Sequence, residues 1–140
     1  MYTSHKFEKN LAVAMVTTAT GVIAASRHYP GLQKQVVRGF AALVLAVPGT
    51  TAPVLALKKR PTPGSSTGES TIATLTIPTT SAIGQVYYKR GLNVELQPGD
   101  ELVIDVTTAS VTTGTVTASA EMDQTPELPA NLGAEVILSA

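Results

Sequence analysis

Acid–base chemistry in this 140-residue chain would have to come from few side chains. Glu95, Asp100, Glu101 and Asp105 fall in one stretch, and paired carboxylates can serve as general acid and base on a glycosidic bond. Such a pair also needs a cleft of aromatic rings to hold sugar, and the chain has no tryptophan, four tyrosines and two phenylalanines. Glu95, Glu101 and Asp105 share the outward parity of their strands, where solvated charges go. Asp100 belongs to a Pro98-Gly99-Asp100 turn, in which aspartate bonds back to the local backbone. His5 and His28 are the only histidines, and neither sits beside an acidic residue. The absence of cysteine removes thiol catalysis, zinc–thiolate sites and disulfides. No phosphate loop, HExxH, GxSxG or calcium-loop spacing occurs. The chain therefore reads as non-enzymatic, with no catalytic, cofactor-binding or metal-ligating residues and no small-molecule substrate.

Binding is the remaining chemistry. Lys58, Lys59 and Arg60 form the densest charge cluster, which suits either a solvated strand end or a docking patch for an acidic protein surface. Nucleic acid is a poor partner, because ten basic and ten acidic residues cancel and no stacking rings accompany the triplet. Charged residues make up only 14% of the chain, against about a quarter in typical soluble domains. That deficit fits a surface partly covered by other subunits, or a Thr/Ser-rich exterior.

The elements that position these residues read as strands. Residues 1–10 are polar and mixed in charge, and form an expected N-terminal arm whose His5, Lys6, Phe7, Lys9 and Asn10 join Lys58, Lys59 and Arg60 as candidate partner-binding residues. The apolar run that follows resembles a secretory signal ending near Ala24, Ala25 and Ser26. Glu8 in the basic region and Thr17, Thr18, Thr20 and Gly21 within the run argue against one. The run is also shorter than the roughly 18–20 residues that a membrane-spanning helix needs, so no membrane role is expected. A hairpin over 11–17 and 22–27 fits better. Residues 36–47 are apolar on both faces, as in a central strand, and 61–69 is a Pro/Gly/Ser loop expected to be flexible.

The clearest alternation lies in 92–107. Leu92, Val94 and Leu96 precede the turn, and Leu102, Ile104 and Val106 follow it, which predicts a strand, a tight turn and a second strand paired as a hairpin. Further strands are predicted near 54–57, 72–77, 86–89, 116–122 and 134–138, with a loop at 123–133. Nine or ten short strands at this spacing predict an all-β protein: a two-sheet β-sandwich, jelly-roll-like, with the arm at 1–10 and a single domain at 11–140.

Residues 87–123 resemble the C-terminal half of small all-β virion proteins of tailed bacteriophages, the capsid decoration or cement proteins. The resemblance is carried by Tyr87-Tyr88-Lys89-Arg90-Gly91, the Leu-x-Pro-Gly-Asp-x-Leu turn of 96–102, and the Thr/Gly-rich strand ending near Asp123. It implies a structural protein of the virion, on the outer capsid surface, with the major capsid protein as partner. It also implies a homo-oligomer, usually a trimer, and carries over no catalytic residue. A receptor-binding or adhesive β-module, from a fibre tip or a cell surface, is the alternative. Its cue would be Tyr29, Tyr87 or Tyr88 exposed together.

Overall fold

The computed structural model describes residues 5–23, 27–31 and 34–124. Eight strands occur in that range: β1 His5–Val16, β2 Gly21–Val22, β3 Gln35–Ala46, β4 Val54–Arg60, β5 Ser70–Thr76, β6 Val86–Leu96, β7 Glu101–Thr108 and β8 Thr115–Gln124. They form two antiparallel four-stranded sheets, sheet A in the order β1-β8-β3-β6 and sheet B in the order β2-β7-β4-β5. This is the strand order of an eight-stranded jelly roll, two Greek keys folded onto each other. The expected sandwich is therefore the fold.

The core lies between the sheets. Val37, Phe40, Ala42 and Val44 of β3 and Val116, Ala118, Ala120 and Met122 of β8 face Leu55 and Leu57 of β4 and Leu102, Ile104 and Val106 of β7, all almost wholly buried. The period-two alternation of these residues sends one side of each strand into the core and leaves the other for the outer face. Each large side chain so buried contributes about 1.5–3 kcal/mol, which fixes the register, because a one-residue slip would turn the apolar set outward.

Three expectations about connectivity are corrected. First, residues 5–10 are not an arm. They open β1 and pair with β8, with His5 opposite Gln124 and Asn10 opposite Ser119. Second, the stretches expected to pair as a hairpin across residues 18–21 are in different sheets, since β1 pairs with β8 and β2 with β7. Third, the strands flanking the Pro98-Gly99-Asp100 turn do not pair either: β6 is an edge of sheet A and β7 lies inside sheet B. The turn itself forms as expected. The Asp100 amide donates to the Gln97 carbonyl at 3.0 Å, Asp100 Oδ2 accepts from the Gln97 amide at 2.9 Å, and Gly99 takes φ 96°. Its role is to carry the chain across the core. The predicted strand at 134–138 lies outside the described residues.

Candidate functional site

The outer faces of the two sheets are built differently. On sheet B, residues 27–31 are stapled along β7: the His28 amide donates to the Leu102 carbonyl at 2.9 Å and the Leu102 amide donates back to the His28 carbonyl at 2.8 Å. The 61–69 loop, joining β4 to β5, lies beside them. Glu101 points outward from β7 between the two segments, and its side chain is 0% exposed. The Tyr29 hydroxyl donates to Oε2 at 2.6 Å, the Gly64 amide donates to Oε1 at 2.9 Å, and the Arg27 and Arg60 guanidiniums lie 3.3 and 4.0 Å away. Burial alone would raise its pKa. Tyr29, Gly64 and the two arginines outweigh that effect and hold it below the usual carboxylate range. The same hydrogen bond to Glu101 raises the Tyr29 hydroxyl.

The basic triplet belongs to this network. Lys58 Nζ donates to Asp105 Oδ2 at 2.8 Å and to Glu69 Oε1 at 3.2 Å, while Arg60 Nε donates to Glu69 Oε2 at 2.9 Å. Lys59 is more open, bonding the Glu95 carbonyl at 3.1 Å. Lys58 and Arg60 are thus paired within the subunit. The outward parity of Glu101 and Asp105 was read correctly, but outward here means beneath 27–31 and 61–69. Each carboxylate faces cations, with Glu101 held below its usual range, opposite to what a general acid requires.

Among the described residues, no segment covers the outer face of sheet A. Reading across it in register, its outer face carries five levels. The first two are charged: Lys6, Asp123, Val36 and Glu95, then Glu8, Glu121, Gly39 and Arg90. The third is small at its centre, with Asn10, Ser119, Ala41 and Tyr88. The last two are apolar at their edges, with Thr117, Leu43 and Val86 in register and Val13 on the irregular stretch of β1 beside them, then Val16 opposite Thr115, with Leu45 of β3 exposed nearby. Val13 is 72% exposed, Ile83 71%, Tyr88 57% and Val86 50%. Gly39 matters for shape, because a Cβ there would meet Glu121 Oε1 at 3.1 Å. The floor of Gly39, Ala41 and Ser119 between Glu8 and Tyr88 makes a depression of about 150 Å³. Arg90 stacks over Tyr88, 4.7 Å from the ring centroid. Arg38 bridges Asp123 Oδ2 and Asn93 Oδ1, both at 2.8 Å, and leaves Asp123 Oδ1 buried without a hydrogen-bond partner.

Of the candidate arm residues, His5 opens β1 opposite Gln124, Lys6 and Asn10 are exposed on this face, and Phe7 packs against the core, which removes it from a docking set. Lys9 is exposed at the β1 edge, where its charge and, more strongly, burial keep His28 below its ordinary 6.5 against the opposing bond to Gln35. The tyrosine cue for adhesion is not met: Tyr29 lies on the sheet B side, Tyr88 on the sheet A face, and Tyr87 packs against the core. Among the described residues no group of His, Asp or Glu could hold a metal ion, and no helix is long and apolar enough to cross a membrane.

No protein-family model matches the chain, and no curated protein matches it. Similar solved structures include chains of infectious bursal disease virus Gt strain (11% identity, 88% of this chain and 29% of that chain, TM-score 0.33) and Gx strain (13%, 93%, 44%, 0.30). Another is the infectious bursal disease virus VP2 subviral particle (12% identity, 92% and 44% covered, TM-score 0.31). The chain spans 29 to 44% of the length of these chains. At these scores the jelly-roll assignment stands on the strand order alone.

Proposed function

We propose that this chain is a non-enzymatic structural protein of a virion, a capsid decoration or cement protein that binds the outer surface of an icosahedral capsid. The observation that carries this reading is the outer face of sheet A, apolar at the edges of two of its levels and uncovered among the described residues, in a chain with few charges. Exposed apolar patches of this kind mark surfaces that other subunits cover. The resemblance of residues 87–123 to tailed-phage decoration proteins supplies the setting, the major capsid protein as partner and a homo-oligomer, usually a trimer, as the attaching unit. Of the candidate partner-binding residues, Lys9 is exposed at the β1 edge, away from the centre of this face. No nucleic acid, membrane or cofactor takes part in this reading.

The action would be thermodynamic. A subunit that binds the assembled lattice and not its dispersed components stabilises the lattice by about 2.7 kcal/mol when free subunit stands at 100 times its dissociation constant. Co-sedimentation with capsids lacking the protein tests the proposal, with saturable binding and a higher capsid melting temperature expected. Purified chain that neither pellets with capsids nor shifts their melting would overturn it. An adhesive module has no observation in its favour, since its three tyrosines are dispersed over two faces and the core.

A further inference from the structure

We propose that the outer face of sheet A pairs with the same face of a second copy of this chain, about a two-fold axis parallel to the strands and midway between β8 and β3. Such an axis lays β1 of one copy over β6 of the other and β8 over β3, keeping each level opposite itself. The charges then match. At the first level Lys6 meets Glu95 of the second copy, a carboxylate that Lys34 also holds at 3.0 Å within its own subunit, and at the second Glu8, which accepts from Ser119 Oγ at 3.2 Å, meets Arg90. Symmetry repeats both contacts, giving four opposite-charge encounters.

The uncharged levels match as well. Tyr88 comes over Asn10, and Val86 over Val13, two side chains at least half exposed in the single subunit. A two-fold axis perpendicular to the strands would instead set the apolar levels on the charged ones and bury unpaired charge. Sheets packed face to face keep their strands within about 30° of each other, which the parallel axis permits. The cross-strand pair Glu8 and Glu121 gains a purpose too. Like charges directly opposite destabilise a sheet, and here one of them is answered by Arg90 from the second copy.

The inference sharpens the reading of the chain as an assembling subunit and does not need the capsid. A pair replaces the three-fold unit that the phage resemblance implies. The test is sedimentation velocity or native mass measurement of the full chain, with Glu8→Arg, Arg90→Glu and the double reversal. The wild type is expected as a dimer at about 100 μM, each single reversal should weaken the dimer about tenfold or more, and the double reversal should restore it to within about threefold. Glu8→Arg also relieves the clash with Glu121 inside the subunit, so weakening there cannot be a folding defect. A wild-type monomer at that concentration, a trimer, or a dimer indifferent to the reversals would overturn the proposal. Capsid co-sedimentation of the same variants keeps the two readings apart, because a true decoration protein can fail the dimer test and still bind capsids.

Discussion

Among the described residues, the outer face of sheet B is closed by its own chain and the outer face of sheet A is left open. Both face away from the same core and both carry charge. On sheet B, Arg27, Lys58 and Arg60 are answered by Glu69, Glu101 and Asp105 at 2.8–4.0 Å, beneath the 27–31 and 61–69 segments. On sheet A, Glu8 and Glu121 stand opposite each other, and Val13 and Val86 face outward. The contrast is one of closure: the charges of sheet B are paired beneath covering segments, whereas on sheet A Arg38 with Asp123 and Lys34 with Glu95 pair while Glu8 and Glu121 stand side by side at the surface.

Substitutions should split along that line. Glu101→Ala removes a buried acceptor from Tyr29, Gly64, Arg27 and Arg60, and should lower unfolding free energy by about 3–5 kcal/mol in a denaturant titration. It should also make the 61–69 loop a preferred site of limited proteolysis. A loss below 1 kcal/mol would mean that the network is ornamental. Lys58→Ala breaks two partly buried bonds and should cost about 1–2 kcal/mol by the same titration.

Acid should act through sheet B as well. Burial alone would raise Glu69 and Glu101. For Glu69 the bonds from Arg60 and Lys58 prevail, as those from Tyr29 and Gly64 do for Glu101, so both titrate below their ordinary 4.5. The unfolded chain then binds protons first as pH falls. The stability these groups supply is present above about pH 4.5 and is lost as pH drops through their folded values. Denaturation midpoints from pH 7 to 3 should fall less steeply in Glu101→Gln than in the wild type, and equal slopes would remove Glu101 from the account. The smallest effect belongs to sheet A: Tyr88→Ser should change subunit stability by less than about 0.5 kcal/mol while weakening self-association measured by sedimentation.

Strands were legible in the sequence wherever one face is buried, as in 92–107 and 116–122, because burial imposes the alternation. Partners were not. Leu92, Val94 and Leu96 of β6 turn inward opposite β5, and Leu102, Ile104 and Val106 of β7 line the middle of the core, and that alternation is the same whether two strands pair edge to edge or lie in separate sheets. Gly91, with φ 75°, looked like a strand end but sits within β6, where the pairing with β3 shifts register. Polar, mixed composition hid the fact that residues 5–10 are half of β1. Cutting them away now threatens sheet A, where an arm would have come off harmlessly. At the candidate sites, the outward parity of Glu101 was readable, but its cover was not, since 27–31 and 61–69 reach it from far along the chain. The levels of sheet A depend on pairings such as Glu8 with Glu121, 113 residues apart, which no local pattern encodes.

The place of β8 between β1 and β3 also sets a timetable for synthesis. Every strand of sheet B has been made once Thr108 is added, whereas sheet A lacks one of its two inner strands until Gln124 is added. Until then β1 has no neighbour, and the inner faces of β1, β3 and sheet B stay wet. Closing a loop of more than a hundred residues is slow. The nascent chain therefore spends its longest interval as half a sandwich with a greasy interior on view, the stage at which a chaperone or a premature encounter with another nascent copy would matter most.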